Sequence, residues 1–274
     1  MDKRISCIGS GNMGIALMKG ISSAVNPGSI SFTDTDTAKA KAAAALVDGQ
    51  VFDSNIQAVE QSDIVFLAVK PQILKKVVDE IAPTVKKILT GSSENRSLTL
   101  ISMAAGWTIE KIQNCLGIKA PVVRIMPNTP VLLGKGLVAY SASPELTPNA
   151  ISELEKLLSA AGMVDRMDEN YMDSVTGLSG SGPAFVYVFI EALADGGVRV
   201  GLPRDKALRY AAQTVMGAAA MAVESGKHLG ELKDMVTSPG GTAIAGITAL
   251  ENGAFRASAI NAVEAAWRRA MELS

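Results

Sequence analysis

Hydrophobic positions in the first part of the chain come in short blocks that alternate between two periods. Residues 4–8 (Arg-Ile-Ser-Cys-Ile) form an apolar run of strand length, and residues 12–23 then place Ile15, Met18 and Ile21 at helical spacing. Residues 29–33 read as a second strand, and the Ala- and Lys-rich 35–47 as a helix. The run Asp63-Ile-Val-Phe-Leu-Ala-Val69 is continuously apolar after its first residue, as in a parallel strand covered on both faces. Further strands are predicted at 97–102, 121–126, 136–141 and 163–166, with helices at 72–82, 108–115 and 147–161 between them. This alternation predicts an α/β fold, a Rossmann-like doubly wound sheet with helices on both faces.

Past residue 167 the strand period stops. Helices are predicted at 169–178, 183–198, 203–224, 229–236, 242–252 and 254–272, punctuated by Gly and Pro. Pro183 and Pro203 stand where a first helical turn begins, a position proline tolerates. Leu178-Ser-Gly-Ser-Gly-Pro183 reads as a break between two helices. Residues 184–190 are apolar nearly all round, and 211–223 are mostly Ala, Met and Val, so these helices call for burial. About a hundred residues of helix can hardly cover such surfaces alone. The expectation is therefore a first domain over 1–167 and an all-helical dimerisation domain over 168–274, giving a homodimer or larger oligomer. A helical domain folded back on its own sheet is the alternative.

Composition narrows the partners. Of 274 residues, 48% are hydrophobic but only 4% aromatic, so the core must be built from Ala, Val, Ile, Leu and Met. The net charge is -1 with no basic stripe, which argues against nucleic acid. No apolar run approaches the length of a membrane span, and the first residues lack signal-peptide features, so no membrane partner is expected. Cys7 and Cys115 lie far apart and fit no metal spacing, so a reduced, cytoplasmic chain without a metal is expected. The single histidine, His228, has no nucleophile elbow to serve and reads as a solvated loop residue.

Gly9-Ser10-Gly11-Asn12-Met13-Gly14 follows the first strand and opens the first helix. In a dinucleotide-binding turn the first glycine permits the turn, the second lets backbone approach a pyrophosphate, and the third packs helix on strand. The helix N-terminus then holds the phosphates. Asp34 ends the second strand, where an acid accepts hydrogen bonds from the adenosine ribose and repels a 2′-phosphate, which leans the choice towards NADH over NADPH. Lys39 and Lys41 lie nearby, and a helix N-cap is the competing role for Asp34. Ala68, Val69, Lys70 and Pro71 close one strand and Met103, Ala104 and Ala105 follow another, at the carboxyl ends where such sheets bind ligands. A second convergence of donors is Thr237-Ser238-Pro239-Gly240-Gly241-Thr242 just before a helix, suited to a carboxylate. A plain interhelical turn with a hydroxyl cap reads equally well there.

The runs Lys233–Thr242, Gly177–Ala184, Ala68-Val-Lys-Pro71 and Arg124-Ile-Met-Pro-Asn-Thr-Pro130 together resemble the pyrroline-5-carboxylate reductases, in order and spacing along essentially the whole chain. The resemblance implies a dinucleotide domain, a helical domain that interlocks into dimers and often decamers, and reduction of L-1-pyrroline-5-carboxylate to L-proline with NADPH or NADH. It implies phosphates on Ser10–Gly14 and cofactor contacts from Asn55, Ala68–Pro71 and Met103–Ala105. It also implies a small-molecule substrate in the 237–242 loop, supplied partly by the dimer partner. Ala243 departs from the threonine that many relatives carry there, so the imine role falls to Thr242 or a water. Residues Thr237, Ser238, Gly240, Gly241 and Thr242 are then the substrate-site candidates, with Thr242 the catalytic one. Two other functions compete. A hydroxyacid dehydrogenase would need a general base, often a lysine early in the helix after Gly182, and none is present. A non-catalytic dinucleotide sensor would leave the 240–242 helix start without a purpose.

Overall fold

The computed structural model describes residues 3–91 and 97–273. Contacts divide the chain into two compact units, Met1–Ser181 with Ala266–Ser274, and Gly182–Ala265.

The first unit alternates as the periodicity predicts. β1 (Ile5–Ile8), α1 (Asn12–Ile21), β2 (Ile30–Thr33) and α2 (Thr37–Ala45) are followed by β3 (Gln50–Val51), α3 (Asn55–Gln61), β4 (Ile64–Leu67) and α4 (Pro71–Thr90). Then come β5 (Thr99–Ser102), α5 (Ile109–Leu116), β6 (Val122–Pro127), β7 (Gly136–Ala142), α6 (Pro148–Leu158), β8 (Gly162–Arg166) and the short α7 (Met172–Val175). The strands form one sheet in the order β3-β2-β1-β4-β5-β6-β7-β8. Neighbours from β3 to β6 are parallel, β7 runs antiparallel to β6, and β8 is parallel to β7. The winding reverses between β1 and β4, and open α/β sheets bind ligands beyond the carboxyl ends at such a point.

The unbroken apolar character of β4 has a direct cause. Ile64 and Phe66 join the core with Ile5, Cys7, Leu17 and Phe32, whereas Val65 and Leu67 join the opposite core with Leu74, Val78, Ile81 and Ile112. Both faces are covered, so both sets of alternating positions must be apolar. Each fully buried side chain of this size contributes about 1.5–3 kcal/mol relative to exposure.

Three local expectations change. α4 runs on to Thr90 instead of stopping at residue 82, with Pro83 inside it. Pro83 is exposed, so water can satisfy the carbonyl whose donor it lacks, while Ile81, Ala82 and Val85 stay buried. β3 and α3 lie in a stretch that showed no clear period, and Ser54 caps α3 by accepting the Gln57 N–H at 3.1 Å. The glycine-serine segment is not a break, because Thr176–Gly180 form a wide π-helical turn that leads to α8 (Gly182–Arg199). The resulting stretch Glu169–Arg199 is 31 residues long and apolar enough by composition to cross a membrane, which corrects the expectation that no run approaches that length.

By contacts, residues up to Ser181 group with the sheet unit, and side chains fasten them there. Arg124 on β6, with 3% of its side chain exposed, donates to Asp173 Oδ1 at 2.8 Å and lies 3.6 Å from Glu169 Oε1. Asn128 Nδ2 donates to Ser179 Oγ at 3.1 Å, and Met172 packs with Met126 and Ala139.

The second unit contains α8, α9 (Arg204–Glu224), α10 (Leu229–Met235), α11 (Thr242–Asn252) and most of α12 (Phe255–Glu272). α8 and α9 meet through Ala194, Ala207 and Ala211, with Ile190 and Val198 alongside. Much of the remaining apolar surface is bare: Val188 is 67% and Val223 84% exposed. An apolar groove of about 650 Å³ runs between Phe185, Phe189, Val215, Leu250 and Phe255.

Candidate functional site

The carboxyl ends of β1, β2 and β4 surround an open cleft of about 420 Å³. Gly9, Ser10, Gly11, Asn12, Asp34, Asn55, Ala68, Val69 and Lys70 line it, together with Thr33, Thr35, Lys39 and Ile73. Met13, Gly14, Pro71, Met103, Ala104 and Ala105 are not in its wall.

Each glycine of the turn has a distinct reason. Gly9 sits at φ +102°, and a Cβ there would lie 2.7 Å from the Ala68 carbonyl oxygen. A Cβ on Gly14 would lie 2.8 Å from the Gly9 oxygen and 3.2 Å from Cys7 Sγ, so this glycine sets how closely α1 approaches β1. A Cβ on Gly11 would meet nothing within 4 Å, so a side chain there would enter the cleft and not the protein. Ser10 Oγ is buried and has no hydrogen-bond partner. A buried hydroxyl in that state costs about 1–3 kcal/mol, which a ligand oxygen in the cleft would relieve. These features fit a dinucleotide phosphate lying over the start of α1.

Asp34 is tied to the loop. Its Oδ2 accepts the Ser10 N–H at 2.7 Å and its Oδ1 accepts the Asp36 N–H at 2.9 Å. The cap of α2 is Asp36, whose Oδ1 accepts from Ala38 N at 3.1 Å and Lys39 N at 3.3 Å, so the N-cap role considered for Asp34 falls to its neighbour. Asn55, first in α3, accepts from Thr33 Oγ1 at 2.7 Å and donates to Glu80 Oε2 at 3.0 Å. Behind the cleft, burial and the Asp34 charge push the Cys7 thiol up to about 12.

The turns after β4 and β5 are joined to each other. Trp107 Nε1 donates to the Pro71 oxygen at 3.0 Å, and Met103 N donates to the Leu67 oxygen at 3.4 Å. Met103–Ala105 thus sits at the carboxyl end of β5 beside β4, with Ala104 only 2% exposed. Thr35, Lys39 and Ile73 were not singled out as cleft residues by the sequence. The available signal was position, since each lies just beyond a strand end or in the first turn of the helix that follows one.

In the second unit, the loop before α11 is built on a left-handed glycine, Gly240 at φ +68°. Gly241 N donates to the Ser238 oxygen at 3.0 Å, and a Cβ on Gly241 would fall on Ser238 Oγ. Thr237 Oγ1 donates to the Lys233 oxygen at 2.6 Å, which commits its proton to α10. Thr242 is exposed at the first position of α11. His228 is not merely a solvated loop residue: its Nδ1 accepts the Gly230 N–H at 3.1 Å and caps α10. Among the described residues no group of three His, Cys, Asp or Glu side chains could hold a metal.

Two family models match separate parts of the chain. Residues 4–106 match a family of NADP oxidoreductases described as coenzyme F420-dependent, and residues 169–273 match the pyrroline-5-carboxylate reductase dimerisation family. Fold and cleft together define a Rossmann-class dinucleotide-dependent oxidoreductase with a helical dimerisation region. The chain is 43% identical over 268 residues to the pyrroline-5-carboxylate reductase of Pisum sativum, covering 97% of this chain and 94% of that one. The solved pyrroline-5-carboxylate reductase of Coxiella burnetii superposes with a TM-score of 0.87 at 33% identity, covering 100% and 99% of the two chains. The Plasmodium falciparum pyrroline carboxylate reductase, solved with NADP bound, gives 0.86 at 30% identity over 99% and 98%. This chain belongs to the pyrroline-5-carboxylate reductase family. The apolar second unit and the stretch Glu169–Arg199 both fall within the residues matched to the dimerisation family.

Proposed function

We propose that this chain reduces L-1-pyrroline-5-carboxylate to L-proline with NADPH or NADH. The observation that carries the reading is the cleft over the start of α1, with its open Gly11 face and unpartnered Ser10 hydroxyl, in a chain related over nearly its full length to reductases of that name. When bound, the reduced nicotinamide supplies a hydride for the imine carbon.

The chain's own residues bind and orient. Gly9–Gly14 hold the pyrophosphate, with Ser10 Oγ and the first N–H groups of α1 as donors. Asp34 and Asn55 border the adenosine side, Ala68–Lys70 form the wall towards the nicotinamide, and Pro71 with Met103–Ala105 lies beyond that wall, where the ring would extend. The 237–242 loop takes the substrate carboxylate. Because Gly241 N and the Thr237 hydroxyl are already engaged, the carboxylate falls to the Gly240 N–H, the opening N–H groups of α11 and the hydroxyls of Ser238 and Thr242. The product nitrogen carries one more proton than the neutral imine. A pyrrolinium that arrives protonated brings it, or Thr242 relays it from water. Two copies pair through the helical unit, and further pairing to a decamer is the larger assembly, in the cytoplasm.

The test is oxidation of NADPH and of NADH by purified protein with racemic pyrroline-5-carboxylate. Turnover with either cofactor, with proline as product, is expected. Cofactor binding without turnover would move the chain to a sensor role, and turnover of hydroxyacids instead would move it to the dehydrogenases. An unchanged rate in Thr242→Ala would remove the hydroxyl from the mechanism. Unchanged substrate KM in Gly241→Val would remove the loop from the carboxylate site.

A further inference from the structure

One end of the cleft carries opposing charges in an order that bears on the cofactor. By the rule for this fold, the acid closing the second strand meets the adenosine ribose, so a 2′-phosphate would arrive beside Asp34, Thr35 and Lys39. The Asp34 carboxylate cannot turn away, because Ser10 N and Asp36 N each hold one of its oxygens. It stays as a fixed negative charge, favourable to ribose hydroxyls and unfavourable to phosphate.

Lys39 is placed differently. It lines the same cleft, and its ammonium rests 3.5 Å from Asp36 Oδ2 in a pair whose side chains are 66% and 47% exposed. An exposed pair of this kind contributes only about 0–1 kcal/mol, so the ammonium leaves it at little cost. Asp36 cannot follow, since its other oxygen caps α2 through Ala38 N and Lys39 N. Thr35 Oγ1 is 3.5 Å from Asp34 Oδ1, a contact long enough to be exchanged for a phosphate oxygen.

We propose that Lys39 is the specificity-determining residue through which this cleft accepts a 2′-phosphate, with Asp36 holding its ammonium when the ribose is unphosphorylated. The proposal rests on the dinucleotide reading of the cleft. It makes the site able to take both cofactors: NADH through Asp34, and NADPH through the swing of Lys39 from Asp36 to phosphate.

The test is equilibrium binding, read calorimetrically without substrate, of NADPH, NADH, 2′,5′-ADP and AMP to the wild type, Lys39→Gln and Lys39→Arg. In Lys39→Gln, NADPH and 2′,5′-ADP should weaken roughly tenfold, the scale of one charge-assisted contact, while NADH and AMP stay within about twofold. Lys39→Arg should keep most of the phosphate affinity, and the Lys39→Gln difference should shrink in high salt. Equal loss for both cofactors, or no loss for either, would overturn the role of Lys39 and leave the dinucleotide reading standing. Failure of the wild type to bind any of the four would overturn both.

Discussion

The backbone N–H of Ser10 and the Oδ2 of Asp34 meet at 2.7 Å, joining the glycine turn after β1 to the end of β2. The carboxylate thereby shapes the loop as well as facing the cleft. Asp34→Ala leaves two N–H groups without acceptors and should lower stability by about 1–3 kcal/mol. It should also weaken NADH binding more than NADPH binding, the reverse of a change at Lys39. Denaturant unfolding and cofactor titration of the same variant check both halves.

The three glycines of the turn should fail in different ways. Gly14→Val places new atoms against backbone and Cys7, so it should lower the melting temperature sharply. Gly11→Val has open space around it and should fold normally, yet lose dinucleotide binding. Thermal melts paired with cofactor titration separate the two. A stable Gly11→Val that still binds would remove the phosphate from that face.

Arg124 is buried with Asp173 and Glu169 as its counter-charges, and its Nε has no partner. Asp173→Ala leaves that guanidinium buried with only the more distant carboxylate, and should cost about 3 kcal/mol. The damage should centre on the 169–181 segment. Hydrogen exchange there, compared with the strands β1 and β4, tests whether the loss is local.

The two cysteines should differ in reactivity. Cys7 is fully buried with its thiol pushed up to about 12, so at neutral pH it has almost no thiolate. Cys115 is partly exposed. Brief alkylation of the native protein followed by peptide mapping should label Cys115 and spare Cys7. Labelling of Cys7 would mean that β1 opens readily.

Asp63 gives an acid-side signature. Burial pushes its carboxyl up, but the hydrogen bonds from the Arg4 side chain and backbone outweigh this and hold it below the ordinary range. A depressed carboxylate contributes stability above its unfolded value, near 4 on the usual scale, and the contribution fades as pH falls through the lower folded value. Asp63→Asn should therefore reduce stability by about 1 kcal/mol or less at neutral pH, given the exposure of Arg4, and by nothing at strongly acidic pH. Urea midpoints across the acid range check the slope.

The sheet was legible wherever the period was long enough to leave a pattern. β4 was read from its apolar run and α9 from its length, and both lie within a residue or two of where the pattern placed them. What failed was punctuation. The pattern ended this helix at residue 82, just before Pro83, but the hydrogen bond that Pro83 lacks faces solvent, and burial of Ile81 and Val85 carries the helix through. Gly180 and Gly182 suggested a break, yet a π-helical turn keeps that stretch wound. In the candidate site the glycine turn was legible because motif and context coincide. Lys39 was visible as a nearby cation, but its place in the cleft wall comes from the cap at Asp36, which turns the first residues of α2. The commitment of the Thr237 hydroxyl to Lys233 could not be read from spacing, since it depends on where α10 ends.

The bare faces of α8 and α9 carry a consequence for how the protein exists in a cell. With Val188 and Val223 mostly uncovered in the single chain, a newly made copy is sticky until it meets another. Pairing draws folding forward by mass action, so the midpoint of heat unfolding should rise as the sample is concentrated. Scarce copies should then be the ones that proteases remove first. For this chain, abundance is itself a source of durability.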